Sequence, residues 1–338
     1  MVNSEREDSL EVKYFDRLKK FIQYIAGCFI LLSTGCSSNE KSGTMNEQKD
    51  LSEQFLVVLG TAQDAGYPQI GCTKECCTAY WDGKEAKKHI TNLALVDRKT
   101  NQYWLFEATP DITSQLNELQ GYLTKKKYSP GGVFVTHAHV GYYKGSMEFG
   151  REAMGAKEIP VYAMPRLDSF IRTNGPWSQL VSLKNISLQI LKANSAVAIS
   201  SSFKVTPFKV PHRDEFSETV GFVIESAKKK VLFIPDIDKW EKWDRNIVEE
   251  VNKVDIALLD GTFYKNSELP GRDMSEVPHP FVEESMNKFS SLPDSIKSKI
   301  VFIHFNHTNP LLKNNSQEKK EVKAKGFGVA EEGMVISL

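Results

Sequence analysis

Excess charge of either sign is missing from this chain. Lys plus Arg number 43 and Asp plus Glu number 43, so no net field draws a polyanion toward it. That argues against a nucleic-acid partner. Long apolar runs are also missing, with one exception at Phe21–Leu32. That run has the length of a signal-peptide core and falls short of the ~20 residues that span a bilayer. Cysteine is scarce, with five in 338 residues. Three of them, Cys72, Cys76 and Cys77, crowd one loop. A disulfide framework uses even numbers and wider spacing, and the adjacent Cys76 and Cys77 are poorly placed to bond each other. There is no internal repeat.

The N-terminus has its own logic. Arg17-Leu-Lys-Lys20 forms a positive flank, the apolar run follows, and Ser33-Thr-Gly-Cys36 closes it. Small residues before a cysteine are the pattern of a bacterial lipoprotein cleavage site, although Ser33 stands where Leu is usual. The expectation is an exported protein of the bacterial cell envelope, held to a membrane by lipid on Cys36. An uncleaved anchor or an ordinary N-terminal helix is the alternative. The division is then a signal segment over 1–36, a polar tether over 37–53 and a domain over 54–338. About 300 residues suffice for one large or two small domains.

The histidines are few and oddly placed. Only seven exist, and four end apolar runs. Val133-Phe-Val-Thr leads into His137-Ala-His139. Past a strand end the chain stays extended briefly, so His137 and His139 project the same way. Two imidazoles on one side make half a metal site, against the plainer reading of two loop histidines with ordinary partners. His212, Asp236 and His304 follow three further apolar runs. A rim of strand ends is where ligands gather in layered proteins.

A coarse pass predicts strands over 55–59, 93–97, 103–107, 133–136, 161–163, 203–208, 220–225, 230–234, 256–259, 300–303 and 334–337. Helices are predicted over 110–121, 147–154, 165–174, 238–251 and 280–289. Asp238 with Glu241 three residues on reads as a capping box. Mixed strands and helices over this length fit an α/β or α+β layered domain.

These residues carry a resemblance. The chain is similar to the metallo-β-lactamase fold superfamily, and within it to the PQQ-biosynthesis protein B family. The superfamily motif His-x-His-x-Asp-His falls on His137-Ala-His139-Val-Gly141-Tyr142. Its later ligands fall on His212, Asp236 and His304. Leu59-Gly-Thr-Ala-Gln-Asp-Ala-Gly-Tyr-Pro-Gln, Phe106-Glu-Ala-Thr-Pro-Asp-Ile, Leu259-Asp-Gly-Thr-Phe-Tyr and Ile303-His-Phe-Asn-His-Thr-Asn-Pro resemble longer family blocks. The match runs from about Gln54 to Leu338. It implies an α+β fold, an αββα four-layer sandwich.

The resemblance also implies a site, and the departures edit it. The first metal's ligands His137, His139 and His212 are present, with Asp236 as the carboxylate shared between two metals. Gly141 and Tyr142 replace two ligands of the second metal, leaving Asp236 and His304. A phenol of pKa near 10 binds zinc poorly. One well-held catalytic zinc is therefore expected, with iron or manganese left open. Asp236 is the candidate auxiliary base, and the Tyr142 hydroxyl a candidate oxyanion donor. Cys72, Cys76 and Cys77 lack one ligand for a structural zinc. Relatives complete theirs with a distant histidine, for which His279 is the first candidate here and His89 the second. One disulfide plus a free thiol is the alternative. Asp64, Asp260, His307 and Asn309 are candidate pocket residues.

The reading is a metal-dependent hydrolase acting on a small molecule through a metal-activated water. An oxygenase or hydroxylase like PQQ-biosynthesis protein B is one alternative. A non-catalytic ligand-binding lipoprotein is the other. Substrate and oligomeric state stay open.

Overall fold

Most strands of this chain are apolar on both faces, and the computed structural model shows why. It describes residues 51–123, 128–213 and 215–338. The signal segment, Cys36 and most of the tether lie outside the described residues. The strands are β1 (Gln54–Gly60), β2 (Asn92–Asp97), β3 (Gln102–Phe106), β4 (Ser129–Phe134), β5 (Ile159–Ala163), β6 (Ile186–Ile190) and β7 (Val197–Ala198). Then come β8 (Lys204–Lys209), β9 (Val220–Glu225), β10 (Lys230–Ile234), β11 (Ile256–Asp260), β12 (Ile300–Ile303), β13 (Gly328–Val329) and β14 (Val335–Ser337). They form two seven-stranded sheets, ordered β14-β1-β2-β3-β4-β5-β6 and β13-β12-β11-β10-β9-β8-β7.

The two sheets pack face to face, and helices cover both outer faces. Along β10, Val231 and Phe233 join the core between the sheets. Leu232 and Ile234 face the helices, with Trp240, Ile247, Val282 and Met286. On β1, Leu56 and Val58 point inward, while Phe55, Val57 and Leu59 meet the opposite helical layer, with Ile112, Leu167 and Ile171. A strand covered on both sides loses polar alternation and reads as a continuous apolar run. The arrangement is the αββα sandwich of the metallo-β-lactamase fold.

The site rests on this core. Phe106 stacks on Phe134 with centroids 5.2 Å apart and meets Phe222 edge-on at 5.6 Å. Phe134 precedes His137 by three residues, and Phe233 precedes Asp236 by three. These rings are fully buried, and each contributes about 1.5–3 kcal/mol through burial. Side chains just past them inherit a rigid base. Strands β10, β11 and β12 run parallel, so their ends deliver Asp236, Asp260 and His304 to one edge.

Two predicted helices take other forms. Over 147–154 there is instead a 3-10 segment, Lys144–Phe149, stopped at the extended Gly150. The predicted helix 238–251 is two pieces, Trp240–Lys242 and Ile247–Asn252. Asp238 caps neither, because its carboxylate takes His212 and Lys242. Asn246 caps the second piece through Val248 N at 2.9 Å. Trp240 and Trp243 are buried, donating to Ser285 Oγ and Lys209 O.

Candidate metal centre

Three histidines and one aspartate converge at the edge where β4, β8 and β10 end. His137, His139, His212 and Asp236 can each offer an atom to one shared point. His137 Nε2 lies 3.4 Å from Asp236 Oδ2, His139 Nδ1 lies 3.7 Å from the same oxygen, and His212 Nε2 lies 3.1 Å from Asp236 Oδ1. The edge of a tetrahedron built on zinc–ligand bonds of 2.0–2.2 Å is about 3.4 Å. The buried His137 Nε2, His212 Nε2 and Asp236 Oδ1 make no hydrogen bond. Unspent buried polar atoms are costly, and three aimed at one point fit a cation.

The outer ring atoms are spoken for. His137 Nδ1 lies 2.8 Å from Thr136 Oγ1, and His212 Nδ1 lies 3.2 Å from Asp238 Oδ1. Each partner can accept the Nδ1 proton, which leaves Nε2 facing inward as the ligand atom. Burial pushes His137 down to about 3, so its ring is neutral. Burial also acts to lower His212, but Asp236 and Asp238 outweigh it and bring it up to about 10. A divalent ion taken up here displaces that proton. Burial acts to raise Asp236, yet the histidines hold its carboxyl well below the usual range. Beneath the site the backbone N–H of Thr136 donates to the fully buried Glu107 carboxyl. Burial raises that group well above its ordinary value.

The second half of the family site is rebuilt. The Tyr142 hydroxyl bonds His304 Nε2 at short range. Burial, with Asp236 adding to it, keeps the phenol protonated far above its usual range, and burial keeps His304 neutral. Hydrogen-bond polarity then follows from the far end. Thr262 N and Oγ1 donate to Asp260 Oδ1 at 2.8 and 2.7 Å. Thr262 Oγ1 therefore accepts from His304 Nδ1, 2.7 Å away. That leaves Nε2 as the acceptor and Tyr142 as the donor. His304 lies 3.9 Å from Asp236 Oδ2, but its inward lone pair is used. Tyr142 has given away its one proton, is fully buried and does not line the cavity. The expected oxyanion donor is thus a support for His304. At Gly141, a Cβ would sit 2.4 Å from Asp64 Cβ and 2.5 Å from its carbonyl oxygen. The glycine lets the Asp64 loop close over this position.

The cysteine loop forms its own cluster. Cys72 Sγ and Cys76 Sγ are 3.7 Å apart, and His307 Nδ1 lies 3.5 Å from Cys76 Sγ and 3.4 Å from Cys77 Sγ. Tetrahedral edges for zinc are about 3.8 Å between sulfurs and about 3.6 Å from sulfur to nitrogen, so these donors fit zinc. None of the three cysteines is disulfide-bonded. The histidine is His307, expected in the pocket, and not His279. His89 lies against Glu118 and Glu332 instead.

His279 sits at the other cluster. Its Nδ1 is 2.9 Å from Asp260 Oδ2 and 3.4 Å from Asp236 Oδ1. Burial acts to lower its pKa, but Asp260 and Asp236 outweigh it and the net direction is upward. Asp64 lines the cavity, 3.9 Å from His139 Nδ1. Asp260 is buried behind it and orients His279. Asn309, expected in the pocket, is a turn residue. Its amide donates to Gly261 O and its oxygen caps Leu311 N. The cavity, of about 260 Å³, also takes in Arg213 and Arg272, which sequence patterns did not flag. Asp238 was read as a helix cap, and no local signal marked it as a partner of His212.

Comparison with known proteins agrees with this architecture. The chain belongs to the β-lactamase superfamily: the family model described as "Beta-lactamase superfamily domain" matches residues 103–305. It is similar to coenzyme PQQ synthesis protein B of Methylorubrum extorquens strain PA1, 24% identical, covering 84% of this chain and 99% of that protein. The crystal structure of Zn2+-bound PqqB from Methylobacterium extorquens shares the fold, with a TM-score of 0.71 and 23% identity. That match covers 84% of this chain and 100% of the other. A diphosphatase of the PhnP family also shares the fold, at TM-score 0.58 and 18% identity over 84% of this chain and 96% of that one.

Proposed function

We propose that this chain is a metal-dependent hydrolase with one catalytic metal and one structural zinc. The observation that carries the reading is the inward convergence of His137, His139, His212 and Asp236, with three atoms left unbonded. A zinc ion held by these four supplies a nucleophilic water at neutral pH and a Lewis acid for a carbonyl or phosphoryl oxygen. Asp236 reaches both the ligand cluster and His279, so one carboxylate ties ligands to acid–base machinery. His279 lines the cavity with its Nδ1 proton held by Asp260. Its free Nε2 edge is the candidate proton donor to a leaving group. Tyr142 and His304 hold the wall where a second metal would need ligands.

A second reading has support of its own. The full-length likeness to coenzyme PQQ synthesis protein B favours a part in cofactor synthesis. Three imidazoles and a carboxylate also suit Fe(II) and oxygen chemistry. We further infer from Ser33-Thr-Gly-Cys36 that the protein is exported and lipid-anchored in the cell envelope.

Elemental analysis of the purified protein tests the main reading, beside His137→Ala/His139→Ala and Cys76→Ser/Cys77→Ser. Two metals per chain are expected, a different one lost in each variant, with ester or phosphodiester turnover lost in the first. A single metal lost only with the cysteines would leave a non-catalytic binding protein. Iron at the histidine cluster with oxygen uptake and no hydrolysis would promote the second reading.

A further inference from the structure

We propose that the cavity takes a small substrate bearing an anionic group, a carboxylate or a phosphoryl, gripped by Arg213 and Arg272. This rests on the cavity being the substrate site of the metal centre proposed above. Beyond the histidine and carboxylate cluster, the charged side chains lining it are these two arginines, joined by Phe263, Val277 and Pro278. Asp64 and Asp236 also line it, both turned toward the histidine cluster, so the two arginines are the charges left to meet a ligand. Neither is spent on a strong partner. Arg272 is exposed, and among the described residues its guanidinium has no ion pair or side-chain hydrogen bond. Among the described residues Arg213 pairs with one carboxylate, Glu215, 4.0 Å away, with both side chains more than half exposed. Such a pair is worth little.

The remaining contact of Arg213 links it to the metal cluster. Its Nη2 donates to His139 Nε2 at 2.9 Å. That bond requires a lone pair on Nε2 and puts the ring proton on Nδ1, the atom that faces Asp236 and Asp64. If His139 gave its Nδ1 lone pair to a metal, its ring proton would sit on Nε2 facing the guanidinium as a second donor, and Arg213 would be free to meet an anion. Arginine matches the planar oxygens of carboxylates and phosphates through paired hydrogen bonds. Phe263, Val277 and Pro278 offer the rest of such a molecule an apolar wall. A volume of about 260 Å³ lies below the usual range for drug-sized ligands, which restricts the substrate to a small molecule.

Calorimetric binding to the zinc-loaded full chain tests this with benzoate, its neutral isostere benzamide, and phenylphosphonate. Both anions are expected to bind at least about tenfold tighter than benzamide, with about tenfold lost for each of Arg213→Gln and Arg272→Gln. The assay runs at saturating zinc with metal content checked in each variant, because Arg213 meets the ligand His139. The stronger of the two anions separates phosphoryl from carboxylate preference. If the Arg213→Gln/Arg272→Gln variant still prefers the anions as wild type does, the metal alone holds them and the proposal fails. It fails equally if benzamide binds as well as benzoate. Arginine-dependent anion binding without turnover of any ester would support the anion site and retire the hydrolase instead.

Discussion

Restoring the superfamily motif at Gly141 is predicted to unseat a loop rather than to build a second metal site. A Cβ at this position lies 2.4 Å from Asp64 Cβ, 2.5 Å from Asp64 O and 2.7 Å from Asp64 Cα. Two of those atoms are backbone and cannot rotate away. Overpacking of this kind costs about 1–3 kcal/mol. Helix propensity works the other way, since alanine exceeds glycine by about 1 kcal/mol inside a helix. The helix here is only Val140–Tyr143, so little of that gain applies. Gly141→Ala should therefore lose about 1–2 kcal/mol. Gly141→Asp should lose more, because its carboxylate enters a buried position. Urea unfolding at constant m-value measures both, and elemental analysis counts metals. A Gly141→Ala protein as stable as wild type would refute the packing argument. A Gly141→Asp protein that gains a metal at the histidine cluster would refute the claim that the second site is closed.

Two neighbouring groups extend the reasoning. Tyr142→Phe keeps the ring and removes the proton that His304 Nε2 accepts, so a buried acceptor is stranded. The expected loss is about 1–3 kcal/mol in urea unfolding with metal content unchanged, and a loss below about 0.5 kcal/mol would mean the bond is dispensable. Asp238→Ala removes the acceptor that orients His212. Affinity for the catalytic metal, read by chelator competition, should fall about 10–100-fold, and an unchanged affinity would show that Asp238 merely pairs with Lys242.

Much of the fold was legible because both sheets are covered on two faces. Runs such as Val231–Ile234 and Ile300–Ile303 could only be buried strands, and their ends located Asp236 and His304. Three strands at the sheet edges were missed. Edge strands β6 and β7 are partly exposed, and β13 is two residues long. The segment 238–251 misled for a different reason. It reads as one capped helix, but Trp240 and Trp243 are buried, with indole hydrogen bonds to Ser285 and Lys209. Tertiary partners of that kind leave no periodic trace.

The partition of the histidines shows where local spacing stops being informative. His304 and His307 are three residues apart, and on a helix they would share a face. Here His304 takes a left-handed backbone, with φ of 72°, and its ring is held by Tyr142 and Thr262. The chain then turns, with Asn309 N–H bonding Asn306 O and the Asn309 amide bonding Gly261 O. That reversal carries His307 to Cys76 and Cys77. His279 meanwhile comes from the loop after β11 and meets the strand's own last residue, Asp260. Sequence identified the right residue types for both clusters but not the direction in which each loop turns. That direction is set by buried hydrogen bonds to residues as much as 162 positions away. The same bonds decide which histidine keeps a free lone pair. Through them His304 turns its lone pair to Tyr142, while His137, His139, His212 and Asp236 keep ligand atoms facing one another.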